Sequence, residues 1–367
     1  EDMTRLALFV PDLYGGGAEK MMVHLANEFS RSFECVELVV AKKQGPYLTL
    51  VNDTVRVVDL GVAFTNPWVL VKLAAYMHRE RPSAVLSAMT YPNIAIIIAR
   101  MLSAATARIV ISERVVMGVQ ASSSRTLKEK LKPLLAQYIY GRADQIVSIS
   151  NGVADNLAET VGLKREKIVT IYNPVVTASV YQQYPKPDHP YFRSGQPPVI
   201  LAAGRLVPQK DFKTLLQAFD LFLEKADARL IILGEGGLRK ELLELAEHLG
   251  INEHVSLPGY SENPYAYMMH ADLFVLSSAW EGFGNVLVEA MACGCPVVST
   301  DCPSGPAEIL EDGRFGLLLP PGDAAGLAAS MVSTLENPLA TEALRERARN
   351  FNADKIAREY LDCMRTS

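Results

Sequence analysis

Short apolar runs alternate with helical stretches along almost the whole chain, and this alternation limits the fold more than any other feature of the sequence. The runs Leu6–Pro11, Cys35–Val40, Val55–Asp59, Ala84–Ser87, Arg108–Ser112 and Gln145–Ile149 have strand length, with helical stretches between them. Strand-length runs that are apolar on successive residues fit a parallel sheet covered on both faces. Residues 177–198 carry five prolines without a sustained period and read as a linker. A second series follows, with strands at Val199–Ala203, Arg229–Leu233, Val255–Leu257, Leu273–Leu276 and Pro296–Thr300, and helices at Lys213–Leu223, Leu238–Leu249 and residues 285–292. The expectation is an α/β protein of two tandem Rossmann-like domains with an interdomain cleft. Its parts are an N-terminal domain over 1–176, a linker over 177–198, a C-terminal domain over 199–350, and a terminal helix over 351–367 that packs back on the N-terminal domain.

With 367 residues, 49% of them hydrophobic, the chain can bury two large cores. Its five cysteines are an odd number with no C-x-x-C pair, which fits a reducing cytoplasm and points to neither a disulfide framework nor a zinc ribbon. The longest apolar run, Ile94–Ala99, is far short of the roughly 20 residues that a membrane-spanning helix needs. A net charge of −5 argues against nucleic acid as a partner. The charge is uneven, because residues 1–176 hold 20 Lys/Arg against 16 Asp/Glu, a net of +4.

The stretch Ala271–Leu310 concentrates the chemistry. A buried strand leads into a glycine-bearing loop with Glu281, and a helix follows with Glu289 one turn after Asn285. The first N–H groups of that helix, near Gly284, Asn285 and Val286, have no intrahelical partner and with the helix dipole can hold a phosphate. Two carboxylates beside such a helix start can take sugar hydroxyls, so the stretch suggests a nucleotide-sugar site. After the first strand of the second series, Gly204 permits close backbone approach while Arg205 and Lys210 bring two positive charges to a strand's carboxyl end. In isolation such a loop would be ordinary solvated surface. Beside Glu281 and Glu289, Arg205 and Lys210 read as holding a diphosphate. At the first strand's end, Gly15, Gly16 and Gly17 form either a simple tight turn or a loop whose bare N–H groups reach the same diphosphate.

Other motifs narrow the chemistry. Leu233-Gly-Glu-Gly-Gly-Leu-Arg239 departs from the dinucleotide fingerprint at Arg239, which argues against a nicotinamide enzyme. There is no Asp-x-Asp, so no metal clamp for a diphosphate is evident, and neither a cofactor nor a metal is expected. None of the six histidines has a second ligand at metal spacing, and no G-x-S-x-G elbow marks a hydrolase. Residues 125–142 place Leu127, Leu131, Leu134, Leu135 and Tyr138 on one helical face, a stripe that is usually core, with Pro133 inside the pattern. Arg125, Lys128, Lys130 and Lys132 lie elsewhere on that helix, either as a plain solvated face or as a surface for anionic lipid or a lipid diphosphate.

Taken together, these residues resemble the retaining family 4 glycosyltransferases of the GT-B fold. The resemblance rests on Gly15-Gly16-Gly17 with Leu25-Ala26, Ser150-Asn-Gly-Val153, Asn173-Pro174-Val175, Gly204-Arg205 with Lys210, and above all Glu281-x7-Glu289. Asp301-Cys-Pro-Ser-Gly-Pro-Ala-Glu308 is similar to the branch that builds bacterial surface polysaccharides and lipid-linked oligosaccharides. The resemblance implies that Arg205 and Lys210 bind the donor diphosphate and that Glu289 accepts the ribose hydroxyls. Glu281 would contact the transferred sugar, aided by the backbone N–H groups of Phe283, Gly284 and Asn285. Where many members place a histidine, this chain reads VISERV over Val110–Val115, leaving Glu113 or Arg114 for that place. The function so implied is metal-independent transfer of a hexose or N-acetylhexosamine from a UDP sugar to a polyprenyl-diphosphate-linked saccharide or other glycolipid. The enzyme would be cytoplasmic and peripheral on the inner leaflet. Two rival readings stay open, namely the same chemistry on a soluble acceptor and a sugar-nucleotide-binding protein without catalysis.

Overall fold

The computed structural model describes residues 5–14, 16–117 and 127–365, except the side chains of Leu127, Lys128, Glu129, Lys130 and Lys132. The chain divides into two compact units. Unit 1 comprises Glu1–Pro174 together with Asn352–Ser367, and unit 2 comprises Val175–Phe351.

Unit 1 contains β1 (Leu6–Val10), α1 (Gly17–Phe29), β2 (Val36–Val40), β3 (Val55–Asp59), α2 (Trp68–Glu80), β4 (Ala84–Ala88) and α3 (Thr90–Ser103). It continues through β5 (Arg108–Glu113), α4 (Leu127–Ile139), β6 (Gln145–Ser148), α5 (Asn151–Val161) and β7 (Ile168–Thr170). The seven strands lie in the order β3-β2-β1-β4-β5-β6-β7, all parallel. Alternation along β1 shows why the strands are apolar throughout. Ala7 and Phe9 join the core beneath α2, α3 and α5, while Leu6, Leu8 and Val10 join the core on the opposite face. That second core is made with α1 and with Ile356, Ala357, Tyr360, Leu361 and Met364 of the chain's last helix.

Unit 2 contains β8 (Val199–Ala203), α6 (Phe212–Leu223), β9 (Arg229–Leu233), α7 (Arg239–His248), β10 (Val255–Gly259), α8 (Pro264–His270) and β11 (Leu273–Leu276). The remaining elements are α9 (Asn285–Cys293), β12 (Val297–Thr300), α10 (Pro306–Leu310), β13 (Leu317–Leu319), α11 (Ala324–Glu336) and α12 (Thr341–Arg349). Its sheet is parallel in the order β10-β9-β8-β11-β12-β13. The last helix, α13 (Ala353–Met364), returns to unit 1.

The structure corrects the linker expectation and decides two other stretches. The proline-rich segment 177–198 is part of unit 2, where His189 Nε2 lies 2.9 Å from Ser256 Oγ, the Tyr191 hydroxyl donates to Glu253 O at 3.0 Å, and Phe192 is buried edge-on to Tyr267. Its prolines leave only two short 3-10 turns, Ala178–Tyr181 and Pro190–Phe192, without depriving it of packing. The stripe on α4 is not core, because Leu131, Leu134, Leu135 and Tyr138 are 42%, 53%, 44% and 73% exposed. The Gly-rich Leu233–Arg239 stretch serves packing. A Cβ on Gly234, at φ +134°, would sit 1.9 Å from Gly204 O, and one on Gly236 would sit 2.4 Å from Leu206 O. These glycines let the loop after β9 lie directly on the Gly204–Leu206 backbone.

Candidate active site

In each sheet the strand order reverses once, between β1 and β4 in unit 1 and between β8 and β11 in unit 2. Open parallel sheets bind ligands at the carboxyl ends of the strands flanking this reversal. In unit 2 the two flanking loops carry most of the residues predicted from the sequence. Gly204, Arg205 and Lys210 follow β8, and Glu281, Phe283 and Gly284 follow β11, with Asn285, Val286 and Glu289 on α9.

The two loops are fastened together by one backbone bond and two side-chain bonds to backbone carbonyls. Ala279 N donates to Gln209 O at 2.8 Å, Ser277 Oγ to Lys210 O at 2.8 Å, and Gln209 Nε2 to Trp280 O at 3.0 Å. This fastening brings Lys210 Nζ to 2.5 Å from Glu281 Oε1, an ion pair largely shielded from solvent. Ser278 Oγ donates to the same carboxylate oxygen at 2.6 Å, and Ser278 itself is held by Thr300 Oγ1, which donates to Ser278 O at 2.6 Å. Gly204 makes room for the lysine, since a Cβ there would crowd the Lys210 stem at 3.1–3.3 Å. Arg205 is exposed, and among the described residues no carboxylate pairs with it.

The opposite side of the Glu281 loop rests on the Asp301–Glu308 motif. Glu281 N donates to Pro303 O at 2.7 Å and Ser304 N donates to Glu281 O at 2.8 Å. Gly305, at φ +101°, approaches so closely that a Cβ would lie 2.0 Å from Phe283 O. The motif is therefore a backbone splint for the carboxylate loop, and any side chain at Gly305 would push Phe283 aside. Phe283 is buried edge-on to Phe351 at 5.4 Å, which fixes the loop just before Gly284 caps α9 in the left-handed region at φ +105°. The cap residue of α9, Gly284, offers no side-chain hydrogen bond to the first turn of the helix. Glu289 is buried, and the Tyr265 hydroxyl donates to its Oε1 at 3.2 Å. Ser278 and Tyr265 were not found from sequence, because a lone serine and a lone tyrosine carry no spacing signal.

In unit 1 the picture is different. Gly16 caps α1 with extended backbone and Gly17 begins it, while Gly15 lies outside the described residues. Glu113 is fully buried at the end of β5 and accepts from the Tyr140 hydroxyl at 2.7 Å, from Thr90 Oγ1 at 3.1 Å and from Arg114 N at 3.1 Å. Burial first, and then the Glu113 charge, push the Tyr140 phenol well above its ordinary range, so it stays a neutral donor. Arg114 is buried beside it, its charged form disfavoured first by desolvation and supported by Tyr360, Glu19 and Glu113. Arg125 lies outside the described residues, as do the side chains of Lys128, Lys130 and Lys132, whose backbones belong to α4. Among the described residues no three His, Cys, Asp or Glu side chains are grouped as a metal site, and the five cysteines are free.

Two family profiles match in succession, Glycosyltransferase Family 4 over residues 15–179 and Glycosyl transferases group 1 over residues 188–351. The chain belongs to the family 4 glycosyltransferases. A relative from Campylobacter jejuni, N-acetylgalactosamine-N,N'-diacetylbacillosaminyl-diphospho-undecaprenol 4-alpha-N-acetylgalactosaminyltransferase, is 29% identical over 98% of this chain and 99% of its own. The lipopolysaccharide core biosynthesis glycosyltransferase LpsE of Rhizobium meliloti is 34% identical over 60% of this chain and 63% of its own. Anabaena HepE in complex with UDP and glucose superposes with a TM-score of 0.79 at 20% identity, covering 98% of each chain. That likeness shows the GT-B fold of this glycosyltransferase. No described helix is long and apolar enough to cross a membrane.

Proposed function

We propose that this glycosyltransferase moves a hexose or N-acetylhexosamine from a UDP sugar to a lipid-linked saccharide. Transfer proceeds with retention and without a metal, at the cytoplasmic face of a membrane. The observation that carries the reading is the Lys210–Glu281 pair between the loops of β8 and β11. In the chain alone the two charges satisfy each other. A bound diphosphate gives Lys210 a second anion beside exposed Arg205, and a sugar hydroxyl gives Glu281 a donor.

In the reaction the bond from the anomeric carbon to the diphosphate oxygen breaks, the acceptor oxygen bonds to the same face of that carbon, and the acceptor's proton passes to the departing phosphate. No enzyme base is required. Lys210, Arg205 and the α9 N–H groups stabilise the growing negative charge, and orientation by Glu281 and Glu289 supplies the rest. The acceptor class is supported by the Campylobacter relative, whose name specifies a diphospho-undecaprenol acceptor. It is supported also by α4, whose exposed apolar residues at i, i+3, i+4 and i+7 share a helix with Lys128, Lys130 and Lys132 in the sequence.

A panel of nucleotide sugars, scored for slow donor hydrolysis with and without EDTA, tests the donor half. UDP-sugar turnover unchanged by EDTA is expected, and turnover of none of the panel would refute the reading. Co-sedimentation with anionic liposomes tests the membrane half. Wild-type protein should bind in a salt-sensitive manner and lose binding on Leu134→Ser or on charge reversal at Lys128, Lys130 and Lys132. Absence of binding by wild type would favour a soluble acceptor.

A further inference from the structure

The carboxyl end of the unit 1 sheet contains a charge that the transfer chemistry above does not use. Arg114 follows β5, and its guanidinium is cut off from solvent. Nη1 donates to Asn173 Oδ1 at 2.7 Å, whereas Nε and Nη2 are buried without a hydrogen-bond partner among the described residues. The adjacent carboxylate, Glu113, is engaged by Tyr140 and Thr90 and accepts from the Arg114 backbone N–H, and its charge and that of Glu19 support the guanidinium from nearby. A desolvated cation with two unsatisfied donors is costly, and native proteins keep buried donors paired. The two unpaired groups are also a matched set. Nε–H and Nη2–H form one edge of the planar guanidinium and point side by side, the geometry that receives two oxygens of one anionic group. Arg114 also lies at the ligand-binding end of a parallel sheet, beyond the β1–β4 reversal.

We propose that Arg114 binds a phosphoryl group of a diphosphate-bearing substrate through its Nε–Nη2 edge. This rests on the proposed reaction, in which donor and acceptor both carry a diphosphate. A neutral sugar hydroxyl would fill one donor, whereas a phosphoryl group satisfies both donors and sets an anion against the Nε–Nη2 edge.

The test uses UDP and inorganic pyrophosphate, titrated calorimetrically into wild-type protein, Arg114→Lys and Arg114→Gln. The lysine variant keeps a buried cation and removes the paired edge. If the phosphoryl group is the nucleotide's, UDP affinity falls about tenfold or more in both variants, a loss typical of one charge-assisted contact. If it is the acceptor's, UDP affinity holds, and pyrophosphate binds UDP-saturated wild-type protein but not the UDP-saturated variants. Both affinities within about twofold of wild type in folded Arg114→Lys would overturn the assignment. Should both variants fail to fold, wild-type crystals soaked in UDP or pyrophosphate decide, by whether phosphate oxygens do or do not lie in hydrogen-bond reach of Nε and Nη2. These readouts need no sugar transfer, so Arg114 can fail while the proposed reaction stands, and the reaction can fail while Arg114 still binds.

Discussion

Glu113 and Glu281 both stand at the carboxyl end of a parallel strand, yet they have been given opposite surroundings. Glu113 lies in a closed interior, with Tyr140, Thr90 and the Arg114 backbone N–H on its oxygens. Glu281 sits on a loop, with a cation and a serine on one oxygen and its backbone splinted by Pro303 and Ser304. A carboxylate held by hydrogen bonds from its own core organises that core, whereas one paired with a lysine at a strand reversal can exchange its partner for a ligand. Position on the sheet does not distinguish the two residues; their hydrogen-bond partners do.

The comparison can be broken by mutation. The largest effect is expected at Glu281→Ala, which removes the sugar contact and strands Lys210 as an unpaired charge; donor turnover should fall roughly 10³-fold or more. Lys210→Ala and Arg205→Ala should each lower kcat/KM by about 10²-fold. Only the lysine change should also lower the melting temperature, because among the described residues Arg205 has no carboxylate partner to lose. Ser278→Ala leaves the ion pair and removes one hydrogen bond that orients it, so a loss of about tenfold, in kcat more than in KM, is expected. Glu113→Gln is the sharpest control. If its role is to hold the core together, steady-state rates should stay within about threefold while the melting temperature drops by several degrees. A large kcat loss with an unchanged melting temperature would instead place Glu113 in the chemistry.

Much of this was legible in the sequence, for reasons that also explain the omissions. Strands β8, β9 and β11 stand at the predicted residues because a buried parallel strand writes itself as a continuous apolar run. Strands β7 and β13, three residues each, are too short to leave a pattern. The terminal helix expected over 351–367 is α13, Ala353–Met364, which begins just after Phe351, buried in unit 2, where the chain returns to unit 1. At the site, Arg205, Lys210, Glu281 and Glu289 were found because charges beside apolar strands are conspicuous. Ser278 and Tyr265 matter only through contacts that folding creates, Tyr265 with a partner 24 residues away. The α4 stripe gave its face correctly, but periodicity says which residues share a face and not what covers it.

The division of the chain also bears on the order in which it folds during synthesis. Unit 2 is one continuous stretch, Val175–Phe351, with all of its sheet available once that stretch has left the ribosome. Unit 1 is made first and finished last, because one face of its sheet is covered by α13, which contributes Ile356, Tyr360, Leu361 and Met364. Domains of a nascent chain commonly fold from the N-terminus onward. Here the earlier unit must wait, with Leu6, Leu8 and Val10 incompletely covered, until α13 arrives.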